Sequence, residues 1–423
     1  MLNAVGREIP EEILERTGKE VFQGNNYKDG KAFQKASPKV TPVMRNDHDK
    51  MVQNIHEALV KCNAHDGMTV SFHHHFREGD LVVCMVMEEI HKMGFKNITL
   101  SASSLGKAHD SLVPMIEDGT ILNIESSGVR GKIGDAISHG KLKGLATMRS
   151  HGGRVRAIET GETHVDIAFI GAPSCDEYGN CTVHREIGPL DVTAMAQACK
   201  NSGGKVVVQV EKVVQHGDLD PKLVKIPGIY VDAIVVCENK EDHAQCQGCE
   251  YDGSMTGDFH VPLGSLEYPP MSAKKIIGRR AAMELQPDKV VNLGIGIPEY
   301  ISMVANEEGI GDYMTLTVEA GPVGGVPQGG PKFGGSVNVE AILDQPYQFD
   351  FYDGGGVDLA FLGLAQADKD GNINVSKFGP RIAGCGGFVN ITQNAKKVFF
   401  CGTFTAGGIK THVEDGKLVI DQE

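Results

Sequence analysis

Short apolar runs alternate with amphipathic stretches along this chain. VDIAFIG (165–171) and VDLAFLG (357–363) consist mostly of branched and aromatic residues, and each precedes turn residues, DEYGN and DKDGN. This pattern predicts buried strands that end in turns. Residues 47–62, 79–94 and 273–285 instead space their apolar positions as a helix does. Buried strands that alternate with helices predict an α/β fold with mostly parallel sheets.

The chain also contains an internal repeat. Residues 165–180 match residues 357–372 without a gap, and 8 of the 16 positions are identical. The same offset of 192 residues aligns GKVVVQV (204–210) with KKVFFCG (396–402). Because two short matches share one offset, the sequence predicts two tandem α/β domains of common ancestry.

Composition between the repeated segments sets the domain boundaries. Residues 238–270 are polar and rich in Gly and Pro, so they predict a linker or a long excursion. The first domain is then expected to cover residues 41–237 and the second to cover residues 271–423. Residues 1–40 are expected to form an N-terminal arm.

Charge and composition restrict the function classes. The 41 basic and 55 acidic residues give a net charge of −14, which argues against nucleic acids and anionic membranes as partners. No apolar run reaches the roughly 18 residues of a membrane-spanning helix, and the N-terminus lacks the apolar core of a secretory signal. The ten scattered cysteines therefore predict reduced thiols in the cytoplasm. Cys246 and Cys249 form a lone CxxC motif without the second ligand pair of a zinc site.

The densest glycine segment begins directly after a carboxylate. TLTV (315–318) predicts a strand that ends at Glu319, and the glycine-rich residues 321–335 follow it. A carboxylate in an apolar cleft with glycine walls is suited to be a general base or a nucleophile. The alternative is a surface glutamate at a strand end, followed by a flexible loop.

Three further glycine motifs are candidate ligand contacts. GIGIPE (294–299) follows a predicted strand, where backbone amides hold phosphate groups, although it has only part of the dinucleotide-binding fingerprint. The amides of GCGGFVN (384–390) are candidate oxyanion donors, and a tight turn packed in the core explains this motif equally well. Arg154 and Arg156 lie beside a Gly-Gly turn (152–153) and are candidate phosphate contacts, or they lie on a solvated strand edge.

Three adjacent histidines and an arginine occupy the first-half loop that matches GIGIPE. His73, His74 and His75 cannot all face one metal ion from a strand, because alternate side chains point to opposite faces. We expect no metal site here. We expect these histidines and Arg77 to contact an anionic ligand instead.

The two halves of the chain resemble related families. The segments AKKIIGRRAAMEL, TVEAGPVGGVP and GCGGFVNITQN are similar to the fused acetate and propionate members of the family I coenzyme A-transferases. The segments GMTVSFHHHFREGD and SHGGRVRAIETGETHVDIAFIGAPSCDEYGN resemble the citrate lyase alpha chain, a related transferase that exchanges acyl groups on a carrier similar to coenzyme A (CoA). Together the resemblances cover nearly the whole chain.

The resemblance implies a reaction and a nucleophile. It implies two tandem CoA-transferase domains that exchange CoA between acyl-CoA and small carboxylic acids such as acetate and propionate. Glu319 would be the covalent nucleophile, passing through a glutamyl-CoA thioester, and amides near Gly386 and Gly387 would stabilise the oxyanions. CoA is then a substrate, and no tightly bound cofactor is expected.

The resemblance also assigns binding residues and partners. Segments 71–77 and 126–131 are expected at the domain interface, where they would set acid specificity, and a homo-oligomer is expected. The implied CoA-binding residues are Gly294, Ile295, Gly296, Ile297, Pro298, Gly321, Gly324 and Gly325, and the implied substrate-binding residues are His73, His74, His75 and Arg77.

Other functions stay open on the sequence alone. The main alternative is a citrate-lyase-like exchange of acyl groups, with an acyl-carrier protein as partner. A non-catalytic module that senses acyl-CoA or a sugar phosphate is a second alternative. A nicotinamide-linked oxidoreductase is a third, and it rests only on the GIG turn at residues 294–296.

Overall fold

The chain divides into two units, Met1–Pro38 and Lys39–Glu423. A computed structural model describes residues 1–3, 6–21, 42–43, 49–73, 81–245, 251–403 and 408–422. In the first unit, helix α1 (Glu11–Thr17) follows Pro10 and ends at Gly18, whose φ of 62° is readily adopted by glycine. The second unit contains both halves of the repeat.

The described helices and strands of the second unit alternate along the chain. The helices are α2 (Ile55–Lys61), α3 (Val82–Lys92), α4 (Val113–Glu117), α5 (Gly131–Ser138), α6 (His151–Glu159), α7 (Val192–Asn201), α8 (Gly253–Thr256), α9 (Ala273–Ala282), α10 (Glu299–Glu307), α11 (Gln345–Asp353) and α12 (Phe388–Gln393). The strands are β1 (Thr69–His73), β2 (Ile98–Ala102), β3 (Ile121–Ser126), β4 (Ala146–Met148), β5 (Ile167–Asp176), β6 (Cys181–Thr182), β7 (Lys205–Val214), β8 (Val224–Ile226), β9 (Ala233–Val236), β10 (Val290–Leu293), β11 (Thr315–Thr317), β12 (Pro322–Val323), β13 (Val326–Pro327), β14 (Ser336–Val337), β15 (Ala341–Ile342), β16 (Leu359–Leu362), β17 (Gln366–Ala367), β18 (Ile373–Asn374), β19 (Lys377–Phe378), β20 (Arg381–Ile382), β21 (Lys397–Phe400), β22 (Lys410–Glu414) and β23 (Lys417–Gln422).

Two mostly parallel sheets form the framework. In the first sheet, β4, β3, β2, β1, β5, β7 and β9 pair in that order and run parallel, while β6 and β8 add antiparallel pairs beside β5. In the second sheet, β11, β10, β16 and β21 are parallel, and β12 and β15 extend it antiparallel. The predicted α/β fold with mostly parallel sheets is confirmed.

The internal repeat is visible in the strand order. The first sheet contains β2-β1-β5-β7, and the second contains β11-β10-β16-β21 in the same order and direction. Even the register agrees, because Ala168 pairs with Val206 in the first sheet and Ala360 pairs with Val398 in the second. These pairs are related by the offset found in the sequence.

Each sheet has apolar packing on both faces. In β5, Phe169 belongs to the cluster that contains α2 and α3, whereas its neighbours Ala168 and Ile170 pack with α7. In β16, Phe361 and Ala360 likewise belong to different clusters. Alternate side chains of a strand point to opposite faces. The continuous apolar runs of the sequence therefore correspond to strands that are covered on both sides.

The region predicted to be a linker or excursion is packed against both halves. Met255 in α8 is fully buried and shares an apolar cluster with Ile187 and Val318. Gln245 is also buried, and its side chain accepts a hydrogen bond from Ile187 N at 2.9 Å. Residues of this region therefore connect the first half to the segment that follows β11.

One predicted helix is shorter than its pattern. Residues 47–62 show helical spacing, but α2 begins only at Ile55, because the Asn54 side chain accepts a hydrogen bond from Glu57 N and caps the helix. Before that cap, Met51 pairs with Ile234 instead. No helix in the described part of the chain is long and apolar enough to cross a membrane.

Candidate active site

The carboxyl ends of strands from both sheets meet at one cavity of about 440 Å³. Parallel strands gather the residues that follow them at one edge of a sheet, which is where α/β proteins bind ligands. From the first sheet come Ser103 and Ser104 after β2, Gly128 and Arg130 after β3, and His151 after β4. From the second sheet come Asn292, Leu293, Gly294 and Ile295 at the end of β10, Glu319 and Ala320 after β11, and Leu362, Gly363, Leu364 and Ala365 at the end of β16.

Glu319 presents its carboxylate to this cavity, and no cation among the described residues shifts its pKa. Burial raises its pKa from 4.5 to about 7, since the surrounding protein disfavours the charged form. No hydrogen bond to its side chain is found among the described residues. The Oε2 atom lies against Gly387, where a β-carbon would overlap it. The absence of a side chain at residue 387 therefore makes room for the carboxylate.

A buried polar network fixes the strand that carries Glu319. The Tyr352 hydroxyl donates to Thr317 Oγ1 at 2.9 Å and accepts from the side-chain amides of Asn292 and Gln348, each at 3.0 Å. Thr317 Oγ1 in turn donates to Val291 O in β10 at 3.0 Å. These bonds connect β10, β11 and α11 directly behind the carboxylate.

The glycine turn beside Glu319 is held by the first half of the chain. The Gly386 amide donates to Ser127 O at 2.9 Å, and Gly386 O accepts from His151 N at 3.0 Å. Val129 N adds a bond to Ala383 O at 3.0 Å. No hydrogen bond from the Gly387 amide is found among the described residues. The turn therefore offers the Gly387 amide to a ligand, whereas the Gly386 amide is already paired.

Several buried charged residues lie next to the residues of the first half that line the cavity. Burial opposes ionisation of Asp191, but His73 and Arg154 outweigh it and lower the Asp191 pKa to about 2. His73 Nδ1 lies 3.2 Å from Asp191 Oδ1, and Arg154 donates to the hydroxyls of Ser101 and Ser103. Ser103 is the member of this network that reaches the cavity wall.

Comparison with known proteins places the chain in a family. Residues 48–255 match the sequence model of the citrate lyase alpha subunit. The caffeate CoA-transferase of Acetobacterium woodii is 46% identical over 265 residues, which cover 61% of this chain and 50% of that protein. The crystal structure of the acyl-CoA transferase YdiF apoenzyme from Escherichia coli O157:H7 aligns with a TM-score of 0.76 and 30% identity, covering 90% of this chain and 82% of that one. The chain belongs to the coenzyme A-transferase family.

The family membership confirms the resemblance seen in the sequence, which joined CoA-transferase and citrate lyase alpha features. YdiF is also similar in sequence, at 45% identity over 259 residues, which cover 61% of this chain and 48% of that protein. A further crystal structure of YdiF, a thioester complex with CoA, aligns with a TM-score of 0.75 at 29% identity over 90% of this chain and 82% of that one. The chain spans about half the length of the curated relatives it matches.

The structure brings together some of the site residues that the sequence predicts. Glu319, Gly386, Gly387, Gly294 and Ile295 all line the cavity. Segment 126–131 also reaches it, through Gly128 and Arg130.

The other implied CoA-binding residues lie outside the cavity wall. Ile297 packs in the apolar cluster of the second sheet, and Pro298 precedes α10. Gly321 and Gly325 have φ values of 128° and 71°, and a β-carbon on either would overlap a backbone carbonyl oxygen, Leu343 O or Val337 O. The remaining two, Gly296 and Gly324, also have positive φ. Gly321 and Gly325 therefore accommodate the chain's own backbone.

The histidine run is only partly described. His73 is buried, 3% exposed, and its Nε2 atom pairs with Ser71 Oγ at 3.0 Å, so it lies in the buried network and not on the cavity wall. His74, His75 and Arg77 lie outside the described residues, as do Cys246 and Cys249. Within the described ranges, no group of three or more His, Cys, Asp or Glu residues is arranged to hold a metal ion.

The sequence interpretation missed several polar side chains on the wall. Ser103, Ser104, His151, Gln345 and Arg381 line the cavity, and none was singled out. The position after a parallel strand is the signal that identifies the first three. This signal is weak for His151, because β4 is only three residues long and is not an apolar run.

Proposed function

We propose that the protein is an acyl-CoA:carboxylate CoA-transferase in which Glu319 is the covalent nucleophile. The observation that carries the proposal is the position of Glu319. Its carboxylate has no hydrogen-bond partner among the described residues and faces a largely apolar cavity where the strand ends of both sheets converge. The thioester complex of the related YdiF with CoA supports a covalent route.

The reaction consists of two exchanges at acyl carbons. In the first, a Glu319 oxygen attacks the acyl-CoA carbonyl carbon, a C–O bond forms, and the C–S bond breaks to give a mixed anhydride and CoA thiolate. In the second, the thiolate attacks the Glu319 carbonyl carbon, a C–S bond forms, and the anhydride C–O bond breaks to release the first acid. A new carboxylate then reverses both exchanges. No ATP is required, because each step exchanges one activated acyl group for another.

Each exchange builds a negatively charged oxygen beside Glu319. The free amide of Gly387 is next to the carboxylate and is suited to donate a hydrogen bond to that oxygen. The Gly386 amide, which the sequence also indicated, is removed from this role because Ser127 O accepts its hydrogen bond.

Short-chain acids such as acetate and propionate are the proposed acyl groups. The cavity must hold the reactive end of CoA together with the acid, and its volume of about 440 Å³ leaves little room for a large one. One relative is named caffeate CoA-transferase, and caffeate is an aromatic acid. Caffeate is therefore included in the same screen. We further propose a homo-oligomer, as the resemblance to the CoA-transferases implies. We place it in the cytoplasm, where its many buried cysteines would stay reduced.

A kinetic screen tests this proposal. Acetyl-CoA is paired with propionate, caffeate or citrate, and product acyl-CoA is measured by chromatography. The proposal predicts transfer to at least one monocarboxylic acid, ping-pong kinetics with parallel double-reciprocal lines, and no activity in Glu319→Gln. Intersecting lines or an active Glu319→Gln variant would contradict it.

A citrate-lyase-like exchange is the second candidate. It is favoured by the match of residues 48–255 to the citrate lyase alpha subunit. In that case, transfer to citrate from an acetylated acyl-carrier protein would exceed transfer from acetyl-CoA to any monocarboxylic acid. The same screen, extended by the acylated carrier, separates the two functions.

A further inference from the structure

Oxyanion stabilisation usually employs two or more donors, and the glycine turn beside Glu319 contributes the Gly387 amide as one of them. Oxyanion holes combine backbone N–H groups with side-chain donors, and a missing donor costs about 10²–10³ in rate. In the glycine turn, the amides of Gly386 and Phe388 are paired with Ser127 O and Cys385 O. A side chain on the cavity wall is a suitable source of a second donor. This inference rests on the function proposed above.

His151 is the side chain that comes closest to a β-carbon built on Gly386, the residue before Gly387. An ideal β-carbon on Gly386 would lie 3.5 Å from His151 Nε2, and no other described residue outside the turn comes within 4 Å of that position. By contrast, a β-carbon on Gly387 would meet Glu319 and Phe349. The imidazole and the carboxylate thus flank two consecutive glycines.

Two further contacts fix the imidazole in this place. The His151 backbone amide donates to Gly386 O at 3.0 Å. The ring stacks on Phe349 with centroids 6.2 Å apart and an angle of 28°, and the Phe349 ring is the one that approaches Gly387. No hydrogen bond to the ring nitrogens of His151 is found among the described residues, so the ring is available to a ligand.

The surroundings keep the imidazole neutral. Burial lowers its pKa, the positive charges of Arg154 and Arg130 add to this, and Asp191 opposes it, with the result that the pKa falls from 6.5 to about 4. A neutral imidazole carries one N–H donor and one acceptor nitrogen. It can donate a hydrogen bond to an oxyanion without delivering a proton that would trap the intermediate.

We propose that His151 is a second catalytic residue, whose Nε2–H donates a hydrogen bond to the oxyanions that form beside Glu319, together with the Gly387 amide. The first oxyanion is the former carbonyl oxygen of the acyl-CoA, and the second is the former carbonyl oxygen of the Glu319 anhydride. No proton is transferred in either step. The hydrogen bond strengthens as each carbonyl oxygen gains charge and weakens as the leaving group departs.

Three substitutions separate donation from packing. His151→Phe keeps a ring that can stack on Phe349 but has no donor, and His151→Gln supplies an amide donor in place of the ring. His260→Phe is the matched control, because His260 is exposed and lies outside this cavity. Each protein is tested for its thermal unfolding midpoint, its dissociation constant for CoA, its kcat and its rate of CoA attachment to Glu319.

The proposal predicts a specific set of outcomes. His151→Phe lowers kcat and the rate of CoA attachment by roughly 10²–10³, while CoA binding and the unfolding midpoint stay close to the values of the unchanged protein. His151→Gln recovers most of the lost rate, and His260→Phe behaves as the unchanged protein. If His151→Phe loses stability, His151→Leu repeats the comparison without an aromatic ring.

Other outcomes overturn the proposal. A His151→Phe protein that forms the Glu319 adduct at the unchanged rate excludes a role for His151. An equal rate loss in His151→Gln and His151→Phe assigns the effect to packing of the ring. If Gln345→Ala shows a comparable loss and His151→Phe does not, the donor is the side-chain amide of Gln345. Absence of any adduct in the unchanged protein contradicts the Glu319 mechanism itself, so the two failures are distinguishable.

Discussion

The Oε2 atom of Glu319 lies against the backbone of Gly387, in space that any side chain at residue 387 would fill. Gly387 has φ −90° and ψ 0°, a conformation that other residues adopt, so its backbone alone does not require glycine. Space for the carboxylate is the reason that glycine is needed here. The second half of the chain thus uses this glycine to make room for the Glu319 carboxylate.

Gly387→Ala is therefore expected to lower activity with little change in folding. The new β-carbon would overlap Glu319 Oε2 and approach the Phe349 ring to 3.0 Å, so the carboxylate must rotate away from its position. Small displacements of a reacting group cost about 10²-fold in rate. We expect a fall of kcat of this size, measured under saturating acyl-CoA.

Gly264→Ala is the matched control for that substitution. A β-carbon on Gly264 would meet nothing within 4 Å, and its φ is not in the left-handed range. It should keep full activity. A Gly387→Ala protein with unchanged kcat would show that the position of the carboxylate does not matter.

The activity should depend on pH through Glu319. Burial raises the Glu319 pKa to about 7, and only the ionised carboxylate attacks the thioester. We expect kcat/KM to rise with pH and to reach half its maximum near pH 7. A profile that is flat over about two pH units on either side would contradict this role.

Burial of Glu319 should also lower the free energy of unfolding at high pH. The carboxyl pKa is about 7 in the folded chain and 4.5 in the unfolded chain, so the folded state holds its proton longer. Stability contributed by the protonated group is present below pH 4.5 and is lost as the pH rises through about 7. At about 1.4 kcal/mol per pKa unit, the loss is at most roughly 3.5 kcal/mol.

Glu319→Gln tests this cost directly. The amide cannot ionise, so the variant should unfold at a higher urea concentration than the unchanged protein at alkaline pH, and the difference should shrink towards pH 4.5. Urea titrations at several pH values give the comparison. A difference that is constant with pH would show that burial does not penalise the Glu319 charge.

Asp191→Ala should destabilise the fold strongly. Asp191 is buried and lies near His73 and the buried guanidinium of Arg154, so its removal leaves a buried positive charge uncompensated. Breaking a buried ion pair in this way costs about 3–5 kcal/mol. Urea unfolding at neutral pH measures the loss, and Asp218→Ala, at an exposed position, serves as the control. Equal midpoints for the two variants would disprove the structural role of Asp191.

Much of the fold follows from local patterns in the sequence. The runs around Phe169 and Phe361 predict buried parallel strands because their side chains are apolar on both faces. The offset between them predicts a repeated topology, which the matching registers at Ala168 and Ala360 confirm. Glu319 stands out because an apolar strand leads directly to it.

The assembly of the cavity could not be predicted in the same way. The Gly386 amide is paired because Ser127 O, from the other half of the chain, lies 2.9 Å away. His151 reaches the site from the end of the short strand β4, and its sequence neighbours give no apolar signal. Both features depend on how the two halves pack, and no local pattern encodes that packing.

Attachment of CoA to Glu319 tests the central claim most directly. The protein is incubated with acetyl-CoA without an acceptor acid, digested, and analysed by mass spectrometry. The account predicts that a peptide containing Glu319 gains the mass of one CoA less one water, and that hydroxylamine removes the addition because it cleaves thioesters. No addition at Glu319 under conditions of full transferase activity would contradict it.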